Sequence, residues 1–183
     1  MKKTNFALLS LLLVIASGVL SAQLGEPSPR VTFVQIDTVA VRKGHNTPVQ
    51  FTFHIKPGFH INSNKPDSPE LIPTVLSFSL PEDLVVGRLQ YPAGTLTSFP
   101  FDPSQKLSVY SGDFTVKGIL IAQPKAAAGP YTVHAELKYQ ACDNNACYPP
   151  KKLPIAFNVK IGSGVSSGAK ARPTRTSPHI HSN

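Results

Sequence analysis

The sequence contains two cysteines, Cys142 and Cys147, which enclose the tetrapeptide Asp143-Asn144-Asn145-Ala146. Aspartate and asparagine favour turns because their side chains bond the nearby backbone, so the segment predicts a four-residue hairpin loop. Residues that flank such a loop face each other across antiparallel strands, with Cα atoms about 4.5–5.5 Å apart. The spacing is therefore compatible with a disulfide between the two cysteines.

Three kinds of chemistry fit this cysteine pair. A permanent structural disulfide is common in exported proteins, although closing so small a loop stabilises a fold by only roughly 2 kcal/mol. A redox pair would exchange disulfides with partner proteins and needs sulfurs near the surface. A metal site needs further ligands, and His134 lies about four positions from Cys142 along the same strand face, too far to complete one. The spacing leaves the structural and redox alternatives open and predicts no metal site.

The residues on either side of the pair alternate strictly between apolar and polar side chains. In residues 131–141 the odd-numbered side chains are apolar, which predicts a strand with that face in the core and Cys142 on the solvent side. The alternation in residues 153–161 would place Cys147 on the core side. The cysteines can pair only after a shift of phase, which we expect at Pro149-Pro150 because neither proline donates to a strand ladder.

Charged residues near the pair would affect the acidity of the two thiols. Asp143 adjoins Cys142 and should disfavour its thiolate. Lys138, Lys151 and Lys152 are candidates to favour a thiolate, depending on strand register. Which cysteine is the more acidic therefore depends on how the strands pair.

The elements that must position the cysteines are predicted to be strands throughout residues 30–161. Three earlier segments show the same alternation, and no amphipathic helix longer than a turn or two is present. The eighteen prolines also disfavour helices. Several short strands at this spacing predict an all-β, immunoglobulin-like antiparallel β-sandwich. The alternating faces are Val49, Phe51, Phe53 and Ile55; Leu76, Phe78 and Leu80; and Phe114, Val116, Gly118 and Leu120.

Residues 90–112 depart from this pattern. The segment contains three prolines and two phenylalanines, Phe99 and Phe101. It is too irregular for a long strand and too apolar for a simple solvated loop. We therefore expect an ordered loop of the kind that is often functional in sandwich proteins.

The two ends of the sequence differ in composition from the body. Residues 1–22 begin with a basic start and an apolar run and end in small residues, which predicts a signal peptide cleaved near Ser21 or Ala22. Residues 162–183 are rich in Gly, Ser, Pro and basic residues and predict a disordered tail. The domain would be residues 23–161, in the periplasm and without stable membrane insertion after signal removal. The net charge is +8, but the basic residues form no cluster with interleaved aromatics, so no nucleic-acid binding is expected.

Three motifs in the sequence resemble the N-terminal periplasmic domain of the thiol:disulfide interchange protein DsbD. They are Tyr139-Gln140-Ala141-Cys142, Cys147-Tyr148-Pro149-Pro150 and, earlier, Gly58-Phe59-His60-Ile61-Asn62-Ser63. The resemblance covers residues 30–161. It implies an immunoglobulin-like sandwich that carries an active-site cysteine hairpin and relays reducing equivalents through a reversible disulfide.

The resemblance also implies a role for each cysteine. In the family the second cysteine forms the mixed disulfide with partners, which gives that role to Cys147 and makes Cys142 the resolving thiol. The family shields its cysteine pair with an aromatic cap loop. The candidates here for contact with the cap or with a partner are Phe99, Phe101 and Tyr148. No cofactor is implied.

The resemblance further implies thioredoxin-fold partners in the periplasm that repair disulfides or serve cytochrome c maturation. Because the sequence contains no membrane-embedded electron-conducting region and no thioredoxin-like domain, a separate membrane electron donor is expected. The activity would be that of a thiol:disulfide oxidoreductase of the protein-disulfide reductase type. The alternative is a non-catalytic secreted β-sandwich binding module with a structural disulfide.

Overall fold

The computed structural model describes residues 29–163, and this range is built from strands, turns and loops. The predicted signal peptide and residues 164–183 of the predicted tail lie outside the described residues. Within residues 29–163, no helix is long and apolar enough to cross a membrane. The strands are β1 (Val31–Phe33), β2 (Val39–Arg42), β3 (Asn46–Ile55), β4 (His60–Asn62), β5 (Val75–Ser79), β6 (Leu84–Val86), β7 (Thr95–Phe99), β8 (Asp102–Tyr110), β9 (Asp113–Ala122), β10 (Gly129–Tyr139), β11 (Ala141–Cys142) and β12 (Lys151–Gly162).

The first sheet has the strand order β1-β3-β9-β6, and all its pairs are antiparallel. Strand β3 buries the four alternate side chains that the sequence predicted, and β9 does the same from Phe114 to Leu120. A period of two puts alternate residues on one face of a strand, so each strand has one face in the core and one in solvent. The predicted faces of β3 and β9 are confirmed.

The second sheet has the strand order β2-β12-β10-β5. Its long pair is β10 with β12, antiparallel from Gly129 opposite Ile161 to Tyr139 opposite Lys151. Strand β2 joins the other edge of β12 in the parallel direction, which is an exception to the predicted antiparallel sandwich. Strand β12 runs to Gly162, which the sequence analysis assigned to the tail.

The core lies between these two sheets and joins aromatic rings from both. Phe51 on β3 is fully buried, and its ring centroid lies 5.4 Å from that of Phe157 on β12 and 5.2 Å from that of Phe78 on β5. Burying one such ring stabilises a fold by about 1.5–3 kcal/mol. The arrangement is the all-β, immunoglobulin-like sandwich that the strand pattern predicted.

A third, smaller sheet adjoins the sandwich and carries the cysteines. Its strand order is β11-β4-β8-β7, with antiparallel pairs throughout. Strands β7 and β8 form a hairpin, so the expectation of an irregular loop over residues 90–112 is wrong for most of its length. The prolines that suggested a loop lie outside β7, at Pro92 and Pro100, or near the start of β8, at Pro103, where exposed backbone tolerates them.

Candidate functional site

Cys142 and Cys147 form a disulfide across the predicted hairpin loop. Their Cα atoms are 4.0 Å apart, and the two residues form an isolated antiparallel bridge. The loop between them closes with a hydrogen bond from the Asp143 amide N–H to the Ala146 carbonyl, at 3.0 Å. The hairpin and the cross-strand pairing of its cysteines are as the spacing predicted, with the Cα atoms slightly closer than expected.

The Asp143 side chain holds the loop together. Its Oδ1 atom accepts hydrogen bonds from the amide N–H groups of Asn145 at 2.7 Å and Ala146 at 2.9 Å. Its Oδ2 atom accepts a hydrogen bond from the Tyr148 hydroxyl at 2.6 Å. The bond from Tyr148, followed by those from the two amides, lowers the pKa of Asp143 below its ordinary value because each stabilises the carboxylate. The site therefore carries a fixed negative charge directly beside Cys142.

Cys142 is buried, contrary to the sequence-based expectation. Its side chain is 0% exposed, whereas Cys147 is exposed. The alternation of β10 ends at Gln140, and the next two residues, Ala141 and Cys142, are both buried and pair with β4 instead of β12. The prediction of a solvent-facing Cys142 is wrong because it extended the phase of β10 beyond the point where the chain leaves that sheet.

The predicted shift of phase at Pro149-Pro150 is confirmed. Tyr139 pairs with Lys151 at the end of the long ladder, and Cys142 pairs with Cys147 beyond it. On the first strand the two pairs lie three residues apart, from Tyr139 to Cys142. On the second strand they lie four residues apart, from Cys147 to Lys151. The extra residue lies in the segment with the two prolines, which cannot donate to a ladder. This bulge brings Cys147 to the same side as Cys142.

Cys147, Cys142 and His60 are successive cross-strand neighbours, which we call the cysteine row. Cys142 pairs with Cys147 on one side and with His60 of β4 on the other. Strand β4 follows a turn in which Gly58 has a φ of 84°, a conformation that glycine adopts without steric cost. The solvent exposure falls along the row, since Cys147 is exposed and both Cys142 and His60 are buried.

The tip of the β7–β8 hairpin covers the buried end of the cysteine row. The Phe99 ring stacks on the His60 imidazole, with centroids 3.8 Å apart, and Phe101 stacks on Phe99 at 5.5 Å. Phe99 is buried in a small cluster with Leu107 and Val109, and Phe101 is 39% exposed. Phe99 and Phe101, named here the aromatic cap, therefore reach the row through His60.

Tyr148 makes other ring contacts than the cap contact expected for it. Among the described residues, its ring contacts are with the Arg30 guanidinium, whose Cζ lies 3.7 Å from the ring centroid, and with Phe59, at 6.0 Å between centroids. No ring contact joins Tyr148 to Phe99 or Phe101 within residues 29–163. Tyr148 therefore anchors the Asp143 loop, and its contact with a partner stays a prediction.

A family model described as "Thiol:disulfide interchange protein DsbD, N-terminal" matches residues 30–158, which is most of the chain. The chain belongs to this family. The match includes the cysteine hairpin, the aromatic cap and His60. The motifs at residues 58–63, 139–142 and 147–150, on which the resemblance rested, all lie within the matched residues.

The chain is also similar to several solved structures. The DsbD N-terminal domain of Neisseria meningitidis in its reduced form is 20% identical, with a TM-score of 0.40, over 61% of this chain and 76% of that one. The VesB protease of Vibrio cholerae is 14% identical over 72% of this chain and 32% of its own, with a TM-score of 0.37. The fimbrial subunit AggA of Escherichia coli is 12% identical over 72% and 94%, with a TM-score of 0.36. No curated protein sequence matches the chain significantly.

Among the lysines proposed to act on the thiols, one is engaged by another side chain. Lys152 forms an ion pair with Glu136 at 3.0 Å, and Lys138 and Lys151 are exposed on the β10–β12 ladder. The cation at the hairpin is instead Arg30, which lowers the pKa of Asp143 through its charge in addition to the hydrogen bonds. Sequence reasoning missed Arg30 because it lies more than a hundred residues before the hairpin.

Sequence reasoning also missed the place of His60 beside Cys142. Burial lowers the pKa of His60 to about 4, and the nearby Asp143 carboxylate opposes this only in part. The imidazole beside Cys142 is therefore neutral at ordinary pH. The signal that pointed to it was the Gly58–Ser63 motif, which the sequence analysis recorded for the family without assigning a function to the histidine. No group of three or more metal-ligating side chains is found within residues 29–163.

Proposed function

We propose that the chain is a periplasmic thiol:disulfide interchange domain that relays reducing equivalents through a reversible Cys142–Cys147 disulfide. The observation that carries the proposal is that the two cysteines differ in solvent exposure. Cys147 is exposed and Cys142 is completely buried. A partner thiolate attacks the sulfur that it can reach. The exposed cysteine is therefore the site of partner exchange, and the buried one can react only within the molecule.

Reduction of the domain proceeds in two displacements. A thiolate of the electron donor attacks the Cys147 sulfur, the Cys142–Cys147 bond breaks, and Cys142 leaves with the electron pair and takes up a proton. The second thiolate of the donor then attacks the donor's own sulfur in the mixed disulfide and releases Cys147. The donor ends as a disulfide and the domain as a dithiol, so two electrons and two protons have moved.

Delivery of the electrons reverses these roles. The Cys147 thiolate attacks the disulfide of a thioredoxin-fold acceptor and forms a mixed disulfide, and one acceptor thiolate leaves. The Cys142 thiolate then attacks the Cys147 sulfur, restores the internal disulfide and releases the acceptor as a dithiol. The membership in the DsbD family supports partners of this kind, and a separate membrane protein would supply the electrons.

The aromatic cap supports the same proposal. Phe99 is buried on the row and Phe101 is partly exposed above it, so together they exclude solvent from the Cys142 side of the disulfide. In this arrangement the cap limits reaction with small thiols and oxidants while the Cys147 edge remains open to a partner. We propose that Phe101 and the exposed edge of the hairpin contact the incoming partner.

The alternative is a binding module in which the disulfide is only structural. The complete burial of Cys142 agrees with a structural disulfide. The exposure of Cys147 argues against one, because it leaves one sulfur open to attack by a partner thiolate. A structural disulfide would resist exchange because its folded environment protects both sulfurs.

Disulfide exchange between the oxidised chain and a reduced thioredoxin-fold protein tests the proposed function. We expect the folded chain to be reduced soon after the two proteins are mixed. Both cysteines then react with an alkylating reagent, and the added mass shifts the chain on a gel. The control is the variant with both cysteines replaced by alanine, which should show no shift. A disulfide that stays oxidised in the folded chain, yet is reduced once the chain is unfolded in denaturant, would contradict the proposal.

A further inference from the structure

His60 is a buried polar residue whose ring nitrogen lacks a partner. The residue is 4% exposed, and its Nε2 atom is one of two buried side-chain N or O atoms without a hydrogen bond within residues 29–163. Leaving such an atom unpaired costs about 1–3 kcal/mol. Because buried polar groups in folded proteins are normally paired, an orphan atom calls for an explanation.

The position of His60 suggests what that explanation is. His60 lies directly opposite Cys142 in the β4–β11 ladder, and directly opposed side chains have Cβ atoms about 4.5–5.5 Å apart. The Phe99 ring stacked on the imidazole covers one of its faces. The imidazole is therefore held beside a sulfur that becomes a thiol when the disulfide is reduced. In the oxidised state that sulfur has no proton to donate.

Cys142 needs a base when it acts as the resolving thiol. Only its thiolate attacks the Cys147 sulfur, and burial disfavours the thiolate. The neighbouring Asp143 carboxylate adds a like charge that disfavours it further. Bulk water cannot accept the proton directly because Cys142 is completely buried. The resolving step therefore requires a proton acceptor within the protein.

We propose that His60 is the general base of the resolving step and takes the proton from the Cys142 thiol. The proton moves from the Cys142 sulfur to the imidazole, the sulfur attacks Cys147, and the bond from Cys147 to the partner breaks. The partner sulfur leaves with the electron pair, and the imidazolium then loses its proton to solvent or to that sulfur. In the opposite direction the imidazolium returns a proton to the newly formed Cys142 thiolate. The identity of the partner in this step rests on the proposed function. The proton transfer itself depends only on Cys147, Cys142 and His60.

The surroundings of His60 suit this role. Burial lowers the pKa of His60 to about 4, which keeps the ring neutral at ordinary pH with a nitrogen available to accept a proton, but also makes it a weak base. The element packed over the ring, β7, contributes the uncharged Phe99. The charged group that acts on the ring is Asp143, which favours the imidazolium. A thiolate forming at Cys142 would favour the imidazolium again, so the base becomes stronger as the proton is transferred.

The resolving step can be timed without a protein partner. The fully reduced chain is mixed with the aromatic disulfide dithiobis-nitrobenzoate, which forms a mixed disulfide at the exposed Cys147 and releases one coloured thionitrobenzoate. Attack by Cys142 then releases a second. We expect His60→Gln to slow the second release by about 100-fold or more, as for loss of a general base, and to move its pH profile to higher pH. The first release should be unchanged. His134→Gln, at an exposed position of β10, is the matched control and should leave both phases as in the unsubstituted chain.

A second-release rate and pH profile in His60→Gln equal to those of the unsubstituted chain would overturn the inference and leave His60 a packing residue. A second measurement uses the unsubstituted chain, so it does not depend on correct folding of the variant. With isotope-labelled histidine, reduction of the disulfide should shift the Nε2 resonance of His60, since the Cys142 thiol then becomes its hydrogen-bond donor. An unchanged resonance would also overturn the inference. Because the reagent is a small molecule, neither result depends on whether thioredoxin-fold proteins are the partners.

Discussion

Replacing Cys142 with alanine is expected to convert a transient exchange intermediate into a stable covalent complex. The exposed Cys147 would still attack the disulfide of a thioredoxin-fold acceptor. Without the Cys142 thiol, however, nothing within the domain can attack the mixed disulfide and release the partner. To prevent the acceptor's own leaving thiol from reversing the attack, the acceptor carries a single active-site cysteine activated as its mixed disulfide with thionitrobenzoate, which departs as a coloured thiol. The complex should then accumulate to a large fraction of the chain and should disappear when a reducing agent is added. Non-reducing gel electrophoresis after acid quenching measures it directly.

The reciprocal variant controls for this trapping. Cys147→Ala leaves only the buried Cys142, which a partner cannot reach, so we expect little or no covalent complex. Alanine is used at both positions because a serine hydroxyl at the fully buried position 142 would need a hydrogen-bond partner. If the complex forms through Cys142 in Cys147→Ala and not through Cys147 in Cys142→Ala, the roles of the two cysteines are reversed and the exposure argument is wrong.

The largest loss of stability is expected for Phe51→Ala. Phe51 is fully buried and its ring joins β3 of the first sheet to β12 and β5 of the second. Removing a buried phenylalanine ring costs about 3–5 kcal/mol, because the transfer free energy is lost and a cavity remains between the sheets. Denaturant unfolding of the oxidised chain measures the change in the free energy of unfolding.

The matched control makes the same chemical change at the surface. Phe101→Ala removes a ring that is 39% exposed and contacts the rest of the chain by stacking on Phe99. We expect it to lower the free energy of unfolding by no more than about 1 kcal/mol. Equal losses for the two variants would mean that the aromatic cap is part of the central core, which contradicts the separate cluster described for Phe99.

Strand faces were predictable from the sequence because they depend on a period of two within each segment. Phe51 and Phe53 on β3 and Phe157 and Val159 on β12 are buried as the alternation required. The hairpin loop was predictable for a similar reason, since Asp143 supplies its own local hydrogen bonds. Such features need no information about which strands become neighbours.

The burial of Cys142 was not predictable in this way because it depends on distant strands. The chain leaves β10 at Gln140, whose side-chain amide donates to the Tyr148 carbonyl and accepts a hydrogen bond from Asn62. Cys142 then pairs with His60, which lies more than eighty residues earlier. The alternation of side chains within one strand cannot indicate that the chain will pair with a different sheet. The same limit applies to Arg30, which reaches Tyr148 only in the folded chain.

The central claim is that the Cys142–Cys147 disulfide exchanges reversibly with partner thiols in the folded chain. Its reduction potential tests this claim most directly, measured by equilibrating the full chain with glutathione buffers of graded composition and alkylating the free cysteines. We expect a value within the range of thioredoxin-fold exchange proteins, between roughly −270 and −120 mV. A potential below about −300 mV, typical of structural disulfides in secreted proteins, would contradict the claim.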